Sequence, residues 1–219
     1  MASRPKQAAP RPTPRLYLIT PPIADAPDFT PQLAAALDAG DIAAVLLRLA
    51  DADERSLINR VKALAAPIQD KGAALLLDGR VELVARAGAD GAHLTGAAAF
   101  MEAIEQLKPA RIAGAGGLTT RHDAMRVTEE GADYVMFGEP DAESSRPTLS
   151  AIEERVAWWA EVFEIPCVGY AASLNEIPSL VAAGADFVAL GDFIWLDTRE
   201  IAAKITEAGR YLRLPETAA

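Results

Sequence analysis

Three seven-residue stretches decide how this chain folds: GADGAHL at residues 88–94, GADYVMF at 131–137 and GADFVAL at 184–190. In each, the glycine ends a predicted helix, because the left-handed conformation that stops a helix costs glycine least. The aspartate that follows is expected to fix the turn, and the apolar run after it reads as a buried strand. Gly40-Asp41, followed shortly by AAVLL, is a looser fourth copy. The copies recur every 43 to 53 residues, about two strand–helix units of a barrel.

The segments between them fill in the same plan. RLYLIT (residues 15–20) reads as a first buried strand that Pro21-Pro22 ends. Thr30 with Pro31 gives a helix cap followed by proline at the first helical position, in a helix that runs to Gly40. AAVLLR (43–48) is a second strand, and Leu57, Val61, Leu64 and Ile68 space out a helix over 53–71. Residues 73–77 follow as a third strand with no polar alternation. Continuously apolar strands separated by helices indicate a parallel sheet covered on its outer side. Strands are predicted to start near Arg15, Ala43, Ala73, Gly91, Arg111, Tyr134, Pro166 and Phe187. Ser173 with Glu176 predicts a capping box on the seventh helix, and at least one of Trp158 and Trp159 should enter the core. The expected fold is α/β, a single (β/α)8 TIM barrel over residues 15–219, after a disordered proline-rich tail over 1–14. A doubly wound open sheet would call for a glycine-rich fingerprint after the first strand, and none is there.

Composition narrows the functional classes. A net charge of −10 excludes a general nucleic-acid binder, which needs a basic face. No run of 18 apolar residues would span a membrane. The N-terminal segment lacks the apolar stretch of a signal peptide, so a cytoplasmic location is expected. Cys167 is the single cysteine; no intrachain disulfide can form, and it reads as a small apolar residue opening the seventh strand.

In such a barrel function gathers at the C-terminal strand ends. Those ends here are Thr20, Arg48, Asp78, His93 to Thr95, residues 114–120, Gly138-Glu139, Gly169-Tyr170 and Gly191-Asp192. The lysines (Lys6, Lys62, Lys71, Lys108, Lys204) end no strand, which excludes a Schiff-base aldolase. Two histidines are too few for a His-rich zinc site. What remains is directed at phosphate: Gly169 and Gly191 follow strands seven and eight, where backbone N–H groups hold phosphate in these barrels. The glycines at 114, 116 and 117 would let backbone approach a ligand closely.

These residues carry a resemblance to thiamine phosphate synthase and its relatives, the thiazole tautomerases. LDGRVELVARAGADGAHL (77–94) resembles the family's NDRVDLA…GADGVHL stretch, and GGLTTRHDAMRVTEEGADYVMFGEP (116–140) its GVSxHT…GADYVGxGP stretch. RLYLIT, IPCVGYAAS and AGADFVAL are similar to its first and last two strands. The resemblance implies an Mg²⁺-assisted transferase of thiamine biosynthesis. It joins a pyrimidine pyrophosphate to a thiazole phosphate and releases pyrophosphate. By the same resemblance Arg48 is a pyrophosphate ligand, Asp78 the Mg²⁺-binding aspartate, and Arg146 the counterpart of a lysine in the loop after strand six. Gly117, Gly169, Gly191 and Asp192 fall in phosphate-binding loops. A phosphorylated small molecule is then the expected partner, and a homodimer the expected assembly.

The chain departs from the family's pattern at several points. Leu46 and Ala50 replace a glutamine and a lysine, Leu77 replaces the asparagine beside Asp78, and Gly117 stands at a serine. The second metal carboxylate is missing from Thr95-Gly96-Ala97-Ala98, and the loop after strand six has become acidic at Glu139, Asp141 and Glu143. For the tautomerase branch, Thr119 sits where a catalytic histidine belongs, with His122 one turn away; His93 closes strand four. A second reading therefore stands beside the first: a non-catalytic barrel that binds a phosphorylated ligand or a protein partner. Its expected mark is a strand-end pocket lined by Leu46, Leu77 and Tyr170.

Overall fold

The computed structural model describes residues 12–213; the expected tail lies, over residues 1–11, outside them. Eight strands and eight helices alternate: β1 (Arg15–Ile19), α1 (Ala26–Ala39), β2 (Ile42–Leu47), α2 (Glu54–Gln69), β3 (Ala74–Asp78), α3 (Val81–Ala87), β4 (Gly91–Thr95) and α4 (Ala97–Leu107), then β5 (Ile112–Gly116), α5 (Arg121–Glu129), β6 (Tyr134–Phe137), α6 (Leu149–Val162), β7 (Cys167–Ala171), α7 (Ile177–Ala183), β8 (Phe187–Leu190) and α8 (Ile201–Tyr211). All strands pair in parallel with their sequence neighbours, and β8 returns to β1 to close the barrel. Each predicted strand start lies within one residue of the observed one.

Strand alternation sorts side chains into two cores. Outward-facing Leu18, Val45, Leu47, Leu75, Leu77, Val135, Val188 and Leu190 meet the helix faces, including Leu57, Val61, Leu64 and Ile68 of α2. Truncating one such leucine costs about 2–5 kcal/mol. Inward-facing Tyr17, Ile19, Ala44, Leu46, Leu76, Tyr134, Met136, Val168, Tyr170 and Ala189 fill the barrel. Trp159 is fully buried and donates to the Ile165 carbonyl at 2.7 Å, whereas Trp158 is half-buried beneath Arg121.

The Gly-Ala-Asp turns form a structural clamp used three times. Asp90, Asp133 and Asp186 each precede a strand, and each carboxylate accepts the first core amide of the strand before it: Leu75 N at 2.7 Å, Ala113 N at 2.7 Å and Cys167 N at 2.8 Å. Gly88 and Gly184 are left-handed, as a helix stop requires. Gly40 is not: its φ is −161°. Here a Cβ would lie 2.7 Å from the Ile205 side chain of α8, so a larger residue would force that side chain to shift.

Two local expectations are corrected. α1 starts a turn before Thr30, because Asp25 caps the Asp28 amide at 3.0 Å and Pro27 already supplies the proline of the first turn. Pro31 lies inside the helix. The Ser173–Glu176 capping box does not form; the Glu176 carboxylate accepts instead from Ala172 N and Arg146. The capping box that does form joins Thr120 and Asp123 on α5. Among the described residues no helix is long and apolar enough to cross a membrane.

Candidate active site

A continuous line of polar groups runs inside the barrel, from Tyr17 and Tyr134 up to Glu139 at its C-terminal mouth. The Tyr17 and Tyr134 hydroxyls are 2.8 Å apart, and the Tyr134 hydroxyl lies 3.0 Å from His93 Nδ1. His93 Nε2 faces Glu139 Oε1 at 3.8 Å, and that oxygen accepts the Gly117 amide. Burial, the leading cause, pushes both tyrosine hydroxyls well above the ordinary phenolic range, so both are neutral at physiological pH. Strand β5 makes room for this column. A Cβ on Gly114 would lie 2.0 Å from the Tyr134 ring, and one on Gly116 would lie 1.8 Å from Glu139 and 2.6 Å from His93. These glycines, expected to bring backbone up to a ligand, bring side chains into the barrel instead.

Above the column opens a cavity of about 280 Å³. Arg48, Asp78, His93, Glu139, Tyr170 and Asp192 line it together with Ile19, Leu46 and Met136. Its carboxylates are Asp78, Glu139, Asp141 and Asp192, against the single guanidinium of Arg48. Arg48 is tied down: its backbone N–H donates to Thr20 Oγ1 at 3.0 Å, its Nε to the Thr20 carbonyl, and its terminal nitrogen to Asp192. Burial, then the Asp192 charge, raises the Tyr170 hydroxyl above its usual range.

A second cavity of about 490 Å³ adjoins the first across Glu139 and Asp141 and is lined by Gly117, Thr119, Arg146 and Arg155. Arg146 donates to both Glu176 oxygens at 3.0 and 3.1 Å and stacks 5.4 Å from the Tyr170 ring; its Nε is buried with no hydrogen-bond partner. Arg155 donates at 2.9 Å to the carbonyls of Leu118 and Thr119. The first cavity thus carries four carboxylates against one guanidinium, whereas the second balances Arg146 and Arg155 against Glu139 and Asp141.

Of the residues singled out from the sequence, Arg48, Asp78, His93 and Asp192 share the first cavity; Gly117, Thr119 and Arg146 share the second. Gly169 turns its missing side chain toward Leu180 of α7, at 3.1 Å, and Gly191 toward the Tyr170 hydroxyl, at 1.9 Å. Each glycine thus makes space for a neighbouring side chain. His122 is exposed on the first turn of α5. Leu46 and Tyr170 line the first cavity, but Leu77 does not, because alternation points it outward while Leu76 points in. Sequence reasoning missed Tyr17, Tyr134 and the placing of Glu139. The available signal was a tyrosine at an inward position facing a glycine strand.

A family model described as thiamine monophosphate synthase matches residues 16–194. A thiamine-phosphate synthase of Rhodospirillum centenum is 40% identical over 203 residues, covering 91% of this chain and 98% of that protein. One of Hyphomonas neptunium is 36% identical, covering 86% and 89%. The solved thiamine phosphate pyrophosphorylase from Pyrococcus furiosus superposes with a TM-score of 0.72 at 19% identity, over 90% of this chain and 95% of that one. At that identity the superposition speaks for the fold.

Proposed function

The chain belongs to the thiamine monophosphate synthase family, and so to thiamine biosynthesis, and we propose that its strand-end mouth joins a pyrimidine pyrophosphate to a thiazole phosphate. In that reaction the thiazole nitrogen forms a bond to the pyrimidine methylene carbon while the carbon–oxygen bond to pyrophosphate breaks, its electron pair leaving with the anion. The observation that carries this reading is the meeting of Arg48 and Asp78 in one cavity.

Negative charge grows on the leaving oxygen, so a cation fixed beside it lowers the barrier. Arg48 is that cation here, and its guanidinium must exchange Asp192 for the leaving group. The second cavity, which brings Arg146 and Arg155 to the mouth alongside Glu139 and Asp141, takes the other substrate's phosphate. Mg²⁺ would be held by Asp78 and would supply further positive charge at the leaving group. Among the described residues no three His, Cys, Asp or Glu side chains gather into a metal-holding group. One carboxylate is a sufficient protein ligand for Mg²⁺ only when substrate oxygens and waters complete its shell.

The second reading, a non-catalytic binding barrel, draws on the excess of carboxylates around a neutralised Arg48. Detection of thiamine phosphate after mixing the protein with both substrates and Mg²⁺ separates the two. Synthesis is expected. Asp78→Ala should abolish it, and Arg48→Ala should lower kcat/KM about 100-fold or more. No product, beside an active relative assayed in parallel, would favour the second reading.

A further inference from the structure

Glu139 follows β6 at the point where the two cavities meet, and it lines both. Its side chain is only 13% exposed. A carboxylate so placed loses much of its hydration, a cost that only good partners offset. The partners present all use one oxygen. Oε1 accepts the Gly117 amide and faces His93 Nε2 at 3.8 Å, and Gly116 lacks the Cβ that would collide with it. Oε2 has no partner among the described residues, nor is it one of their buried unpaired atoms, so it opens onto the cavity.

The carboxylate is held in this orientation from below. The Gly117 amide fixes Oε1, and the His93 ring, held by the Tyr134 hydroxyl that Tyr17 holds in turn, packs beside it at 3.8 Å. A pre-oriented acceptor of this kind binds without first being ordered, which makes it selective for a ligand with a matching donor. The walls beside it, Ile19, Leu46, Met136 and Tyr170, suit a flat, weakly polar ring. Beside Glu139, the carboxylate of Asp141 opposes an anion at this part of the cavity and favours a ring carrying N–H donors.

We propose that Glu139 is the residue that selects the aminopyrimidine ring, its Oε2 accepting a hydrogen bond from the exocyclic amine. The identity of the ring rests on the synthase reading. The role of Glu139 rests on its fixed geometry alone. In this arrangement Glu139 touches substrate, and the Gly117 amide orients it. The Gly138-Glu139-Pro140 sequence, which departs from the family's glycine–proline, then supplies a polar contact to the ring where Leu46 offers none.

The test is calorimetric titration of the full chain, without metal, with 4-amino-5-hydroxymethyl-2-methylpyrimidine and with the same ring lacking its amine. Neither ligand carries a phosphate, so turnover plays no part. The unaltered protein should prefer the amine-bearing ring by about 10- to 100-fold, the range of a hydrogen bond to a charged acceptor. Glu139→Gln keeps an oxygen for the Gly117 amide but turns an NH₂ toward the cavity. It should erase that preference and bind the amine-free ring as the parent does, with an unchanged melting temperature. Equal preference in parent and variant overturns the proposal, as does a parent that binds neither ring or does not distinguish them. A Glu139-dependent preference in a protein that makes no thiamine phosphate sustains the proposal and removes the synthase reading. Synthesis with a preference indifferent to Glu139→Gln does the reverse.

Discussion

At the N-terminal end of the barrel Asp90, Asp133 and Asp186 each exchange two hydrogen bonds with one residue of the neighbouring strand, whereas at the C-terminal end no two strands finish alike. At the first end the carboxylates accept from Leu75, Ala113 and Cys167, while their own backbone N–H groups donate to the carbonyls of those residues at 2.8, 2.8 and 3.0 Å. At the other end stand Thr20, Arg48, Asp78, Thr95, Gly117, Glu139, Tyr170 and Asp192, each with a different partner or none. A clamp needs only its own two strands and can be repeated wherever the geometry recurs. A substrate has no such symmetry, so the residues that meet it differ from strand to strand. Stability is thus assigned to the repeated end and chemistry to the varied one.

That division can be broken by a variant that crosses it. Asp186→Ala removes a 2.8 Å charge-assisted bond to Cys167 N. The expected loss is about 2 kcal/mol, seen as a melting temperature lower by about 4–8 °C. Its kcat/KM should stay within about twofold of the parent. A large activity loss at unchanged stability would show that the clamps reach the mouth.

A smaller effect sharpens the boundary between the two ends, where the tyrosine column stands. Burial raises the Tyr17 and Tyr134 hydroxyls above the ordinary phenolic value of about 10. In the unfolded chain these groups lose their protons near pH 10 while the folded chain keeps them. Their contribution to stability is therefore complete below about pH 10 and declines as pH rises toward the folded values. Each adds a slope of at most about 1.4 kcal/mol per pH unit. Tyr134→Phe should lessen the alkaline fall in unfolding free energy, measured by urea titration between pH 9 and about 11. An unchanged slope would mean the column does not stay protonated in the folded state.

The contrast also accounts for what the sequence made legible. The repeated Gly-Ala-Asp turns set the strand starts, because the device is local and recurs. Arg48, Asp78 and Asp192 were visible as strand ends for the same reason, whereas His93, expected to close β4, lies at its middle. Glu139 was visible as a strand end and a charge, but its placing depends on Gly116 leaving room across the β5–β6 seam. Gly40, Gly169 and Gly191 suggested special backbone or ligand contact, yet each makes space for Ile205, Leu180 or Tyr170. Such space belongs to residues far away in sequence, and no local pattern records it. The early start of α1 was missed for a different reason: Asp25-Ala26-Pro27 and Thr30-Pro31 both read as cap and proline, and the earlier pair prevails.

The most direct test of the division is amide hydrogen exchange over short labelling times, with and without saturating thiamine phosphate. The account predicts slowing at Gly117 and over residues 139–145 and 191–194, with Leu75, Ala113 and Cys167 unchanged. Slowing at those three clamped amides with none at the mouth would contradict it.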